Sequence, residues 1–182
     1  MMNEKMAKAI NKQINAELYS SYLYLAMAAY FQSINLKGSS NWMKVQALEE
    51  EYHAMKLYGF LEDRGARPVL DAVAKPPAAY QSPLDAFESV LKHEQKVTGL
   101  INDLVDLALK EKDHASNAYL QWFVNEQVEE EANATEIVEK LKLTGGEGAG
   151  LFMIDQELAA RVFLLQPDIK VVITPAAGGA AA

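Results

Sequence analysis

Apolar residues recur at steps of three and four through four long blocks of this 182-residue chain, separated by short clusters of capping or helix-breaking residues. Each block reads as a helix of roughly 27 to 30 residues, ~40 to 45 Å long, and helices of that length must pack side by side. The first block runs from about Glu4 to Ser33 and stops near Asn35 to Gly38. The second opens at Ser39, Ser40 and Asn41, residues that favour N-caps, and ends at Gly65 ahead of Pro68. The third begins at Ser82, Pro83 and Asp85, in the order cap, first-turn proline and early acid, and ends near Lys112. Asp113 caps a fourth block that reaches Thr144 and closes at Gly145 and Gly146, and a shorter amphipathic block follows from about Gly150 to Leu165. Few residues join the first block to the second or the third to the fourth, so both pairs are antiparallel hairpins. Residues Ala66 to Gln81, with Pro68, Pro76 and Pro77, can instead span ~50 Å at ~3.3 Å per residue, which crosses a whole bundle and lets the two middle helices run parallel. The expected architecture is all-α: a bundle over residues 1–145, a short fifth helix of the same domain over 146–166, and a C-terminal tail over 167–182.

Composition narrows the chemistry. The chain has no cysteine, which excludes disulfides, thiolate metal sites and cysteine nucleophiles, so any metal must be held by oxygen and imidazole nitrogen. A net charge of −8 disfavours nucleic acid and anionic membranes and favours cations. No stretch approaches the ~18 to 20 apolar residues needed to span a bilayer, and the start at Met1 to Lys5 is too polar for a signal peptide, so the expected location is cytoplasmic.

The core stripes carry an anomaly at their middle. They read Ile10, Ile14, Glu17, Ser21, Tyr24, Ala28 in the first helix and Met43, Gln46, Glu50, His53, Leu57, Phe60 in the second. The third reads Phe87, Val90, Glu94, Val97, Ile101, Leu104, and the fourth Leu120, Phe123, Gln127, Glu130, Ala134, Ile137, Leu141. An offset of 77 residues carries Glu17 onto Glu94, Glu50 onto Gln127 and His53 onto Glu130, so two hairpins about a pseudo-twofold axis bring all six into one layer. A single core glutamate is ordinarily a snorkelling or salt-bridged side chain. Four together, on stripes without Lys or Arg, need a positive charge from elsewhere, because burying unpaired ions costs several kcal/mol each. Two divalent metals balance the four carboxylates, with His53 and Gln127 neutral. Glu50-x-x-His53 presents both side chains on one helical face, and this oxygen-rich set with one nitrogen suits Fe(II), Mn(II) or Zn(II).

On these residues the chain resembles the bacterial non-haem ferritins over about residues 4 to 165, a ferritin-like left-handed four-helix bundle with a long crossover between helices 2 and 3. The resemblance implies an iron-storage protein with ferroxidase activity, oxidising Fe(II) with O2 or H2O2 and depositing a ferric oxyhydroxide mineral inside a cage of 24 subunits. It implies that Glu17, Glu50 and His53 hold one iron, that Glu50, Glu94 and Glu130 hold the other, and that Gln127 lies nearby. Gln127 and Glu130 stand where bacterioferritins have Glu and His, and Tyr52 stands where haem-binding relatives have methionine, so no haem is expected. Glu49, Glu126 and Glu129, with Glu130 shared, would otherwise read as a solvated acidic face; the resemblance makes them a third iron site. Tyr24, seven residues after Glu17, becomes a hydrogen-bond partner and possible electron donor.

Trp122 reads as core packing, and His93 and His114 as surface residues. Ile154, Leu158, Val162 and Leu165 form the apolar face of the fifth helix, which has no room inside a four-helix core and is expected to meet other subunits. Beyond it, Ile169 to Thr174 is a β-prone run and Pro175 to Ala182 reads as a mobile end. Two rivals stay open at this point: a di-iron oxidase or oxygenase with an organic substrate, and a structural bundle whose polar layer holds no metal.

Overall fold

A computed structural model describes residues 2–164; the β-prone run and the mobile end expected of the tail lie outside the described residues. Five helices follow in order: α1 (Glu4–Ser33), α2 (Lys37–Asp63), α3 (Pro83–Lys110), α4 (His114–Thr144) and α5 (Gly148–Leu158). Local signals set most of the boundaries. Asn3, Ser82 and Asp113 each accept a backbone N–H from the first turn they precede, at 2.9, 3.1 and 3.1 Å, and Gly145 ends α4 in the left-handed conformation.

The start of α2 differs from expectation, and for an instructive reason. The helix begins at Lys37, inside the expected loop, and Leu36 at its N-cap offers no side-chain acceptor. The cap comes from α5: Asp155 accepts Gly38 N at 3.0 Å, Ser39 N at 2.7 Å and Ser39 Oγ at 2.9 Å. A Cβ at Gly38 would lie 1.6 Å from the Asp155 carbonyl oxygen, so only glycine lets α5 approach this closely.

The same docking corrects the reading of the fifth helix. It ends at Leu158, short of the expected Leu165, and Ile154 and Leu158 are buried within the subunit in one cluster with Trp42, Ile137 and Leu141. The helix packs over the end of the bundle, where Ile154 and Leu158 extend the apolar cluster. Phe152 and Met153 are its exposed large apolar residues, and Val162 also stands in solvent.

The crossover runs along α1. Met2 N donates to Arg64 O at 3.2 Å, Val69 N to Asn11 Oδ1 at 2.6 Å, and Asn15 Nδ2 to Asp71 O at 3.2 Å. Tyr80 then packs edge-on against Tyr30, with ring centroids 5.2 Å apart. The chain therefore travels from the N-terminal to the C-terminal end of α1 before α3 starts, which makes α2 and α3 parallel, as the connector length requires. Two apolar clusters fill the bundle: Leu23, Phe31, Met43, Phe87 and Leu141 mark one, and Ile10, Leu57, Ile101 and Leu120 mark the other. The polar layer lies between them.

Candidate metal centre

All six residues of the expected layer are buried, none more than 6% exposed. The stripes match throughout except at Ser21, which is half-buried; Ser20 is the buried one. Ser20 also corrects the surface reading of His93, because its Oγ lies 2.8 Å from His93 Nε2 and the imidazole is half-buried against Tyr19 and Tyr24. His114 is exposed, as expected.

Glu17, Glu50 and His53 come together most tightly, each offering a ligand atom within 4.8 Å of the others. His53 Nδ1 faces Glu50 Oε2 at 3.6 Å, the consequence of the i, i+3 spacing. Glu17 Oε2 is buried with no hydrogen-bond partner, and among the described residues no Lys or Arg is buried. A buried, partnerless carboxylate oxygen beside an imidazole and a second carboxylate fits a cation, since an isolated buried ion is otherwise strongly disfavoured.

Neutral donors orient the remaining oxygens. Gln13 Nε2 donates to Glu17 Oε1 at 2.9 Å, and Gln46 Nε2 donates to Glu130 Oε2 at 2.7 Å and to Glu50 Oε1 at 3.3 Å. Gln127 Nε2 lies 3.3 Å from Glu94 Oε2, whose other oxygen accepts the hydroxyl of the fully buried Tyr24. Each carboxylate of the layer thus receives an amide N–H. Gln13 and Gln46 were not among the expected site residues, although the sequence carries a signal for both: each stands four residues before a layer glutamate, one turn away on the same face.

Without a metal, protons balance the charge. Burial, reinforced by the nearby Glu50 charge, pushes Glu17 up to about 8 and Glu130 up to about 7. Burial likewise raises Glu94, with Glu50 and Glu130 adding to it against the Tyr24 hydrogen bond. Burial disfavours charge on His53, yet the adjacent Glu50 carboxylate and the charges of Glu17 and Glu130 push it up to about 9. Glu50 stays below the ordinary carboxylate value in spite of its burial because the His53 imidazole lies beside it.

The outer set is looser. Glu49, Glu126, Glu129 and Glu130 line a cleft of about 240 Å³ together with Tyr52, His53 and Trp122. Glu49 and Glu126 are half-buried, which raises both carboxyls, and Glu129 is exposed. Glu49 is paired with Arg161, whose guanidinium lies 4.5 Å over the Trp42 ring; no spacing rule links positions this far apart in the chain. Trp122 packs edge-on to His53 with centroids 5.4 Å apart and carries the Lys56 ammonium 4.3 Å over its ring, in line with a packing role.

A crossover bundle with a carboxylate and histidine layer at mid-height is the architecture of ferritin-like proteins. The ferritin-like domain model matches residues 7–144, and the chain belongs to the ferritin family. It is 44% identical to a bacterial non-heme ferritin of Bacteroides fragilis over 88% of this chain and 100% of that one. A bacterial non-heme ferritin of Staphylococcus saprophyticus is 39% identical over 90% of this chain and 98% of its own length. Among solved structures, an engineered closed form of the Archaeoglobus fulgidus ferritin is 55% identical, with a TM-score of 0.89 over 90% of this chain and 100% of that one. The open-pore ferritin of the same archaeon matches at 55% identity and a TM-score of 0.88, covering 89% of this chain and 100% of that one. Among the described residues, no helix is long and apolar enough to cross a membrane.

Proposed function

We propose that this chain is an iron-storage subunit that oxidises Fe(II) at the buried layer and passes Fe(III) to a ferric oxyhydroxide mineral inside a cage of 24 copies in the cytoplasm. The observation that carries the reading is the buried Glu17, Glu50 and His53 cluster with no cation of its own. The names of the relatives support the storage role, and family membership supports iron oxidation.

Glu17, Glu50 and His53 would hold the first Fe(II); Glu50, Glu94 and Glu130 would hold the second, with Gln127 beside it. Two Fe(II) give two electrons to one O2, which leaves as H2O2 with two protons; where H2O2 is the oxidant, the same two electrons and two protons reduce it to two waters. The residues contribute position and charge: carboxylates that lose protons as cations bind, amides that aim them, and Tyr24 on Glu94, the residue from which a further electron could come. Glu49, Glu126 and Glu129, sharing Glu130, would form a third site that receives iron after the first oxidation.

Aerobic Fe(II) loading followed by size-exclusion and iron analysis tests the reading. A large assembly retaining many irons per chain is expected. A small oligomer with two irons per chain would support an oxygenase instead, and a protein that binds no iron would support a structural bundle.

A further inference from the structure

We infer that Gln46 is the positioning residue that decides whether the Glu130 carboxylate serves the dinuclear layer or the outer cluster of Glu49, Glu126 and Glu129, a role that rests on the dinuclear reading above. Gln46 lies on α2 one turn before Glu50 and is 0% exposed. Its amide nitrogen spans two helices, donating to Glu130 Oε2 on α4 at 2.7 Å and to Glu50 Oε1 on its own helix at 3.3 Å. The amide orientation is fixed by its partners: turned over, its carbonyl oxygen would face two carboxylates. The remaining atom, Gln46 Oε1, is buried with no partner. A fully buried amide with an empty acceptor is costly, so its donor side must hold the side chain in place.

What the donor side holds is a carboxylate with two possible allegiances. Glu130 belongs to the layer through Gln46, which ties it to the Glu50 side, and it also lines the cleft occupied by Glu49, Glu126 and Glu129. A lysine in place of Gln46 would fix Glu130 but cancel the charge that attracts a cation. A neutral amide aims the carboxylate and leaves its charge intact. With the amide removed, nothing in that hydrogen bond opposes rotation of Glu130 toward the outer acids. The partnerless Oε1 suits an O–H donor, such as a water carried in with the ions.

The test is calorimetric titration of the metal-free, assembled full-length protein with Zn(II), which binds without redox chemistry. A Glu126→Gln/Glu129→Gln variant identifies the isotherm of the outer cluster. In Gln46→Met, which keeps the volume and deletes the N–H, the affinity of the second layer ion should fall relative to that of the outer ion by about tenfold or more, the scale on which residues that hydrogen-bond a metal ligand act. Gln46→Leu, which likewise lacks the N–H and adds no charge, should shift the ratio in the same direction. A residue with only a packing role would move the melting temperature and leave that ratio alone. An unchanged ratio in both variants overturns the assignment. Wild-type protein that takes no pair of ions would sink the dinuclear reading and this role with it, a result distinct from an unchanged ratio.

Discussion

The two hairpins of the bundle are related by the 77-residue offset, yet they furnish the layer unequally. The α1–α2 hairpin contributes Glu17, Glu50 and His53, already within 4.8 Å of one another, with Gln13, Gln46 and Tyr24 around them. The α3–α4 hairpin contributes Glu94, Gln127 and Glu130, and the positions matching Gln13, Gln46 and Tyr24 are the buried apolar residues Val90, Phe123 and Ile101. One half is a preformed pocket. The other supplies two carboxylates held by donors that belong largely to the first half: Tyr24 on Glu94 and Gln46 on Glu130. A pseudo-symmetric backbone thus need not give equivalent sites, because the residues that hydrogen-bond the ligands decide which site is ready before the ions arrive. It follows that the first ion should bind the α1–α2 side.

Disabling the shared residue of the prepared half should have the largest effect. Glu50→Ala or His53→Ala should slow the initial Fe(II) oxidation by about a hundredfold or more, since ligand loss exceeds the 10- to 100-fold effect of outer-shell changes. Stopped-flow absorbance checks this; helical circular dichroism should still show the folded bundle, with a lowered melting temperature, because each change leaves one partner of the buried Glu50–His53 pair alone. Disabling the other half should do something different. Glu94→Ala together with Glu130→Ala should preserve one tight Zn(II) per subunit and lose the second; loss of both ions at once would show the halves to be equivalent.

Glu17 and Glu130, raised from 4.5 to about 8 and about 7, bind protons more tightly folded than unfolded, so their contribution to stability falls as pH rises from about 4.5 through those values. His53, raised from 6.5 to about 9, contributes below 6.5 and loses that contribution as pH rises through about 9. Both act in one direction: the metal-free protein should melt at progressively lower temperature from pH 5 toward pH 9, taken as an approximate window. Zn(II) binding at neutral pH should release protons, read as a dependence of the calorimetric heat on buffer ionisation enthalpy. Heats independent of buffer would contradict the charge balance. The smallest effect is expected far from the layer. Asp155→Ala, which removes the cap of α2, should cost about 1–2 kcal/mol of stability in denaturant unfolding while initial oxidation stays near the wild-type rate.

Legibility followed the range of the interaction. The ends of α1, α3 and α4 were readable because their caps are local, as were the six layer residues, because helical periodicity places a polar residue on an apolar stripe without knowledge of its partner. The start of α2 was not, since its cap, Asp155, lies 117 residues from Gly38. Arg161 escaped for the same reason: its carboxylate partner, Glu49, is 112 residues away. The partial burial of His93 has no local signal either, because its partner Ser20 lies 73 residues off on another helix. Gln13 and Gln46 are a different kind of miss. Their spacing to Glu17 and Glu50 is local and repeated, but glutamine has no charge to demand a partner, so charge accounting passes over it.

On this reading two Fe(II) ions are oxidised together in the layer. The most direct measurement of this is the amplitude of the fast oxidation phase as Fe(II) is titrated into metal-free, assembled protein before mixing with O2. The amplitude should rise in proportion to added iron and saturate at two Fe(II) per subunit. Saturation at one, or a fast phase that grows without a break as iron is added, would contradict it.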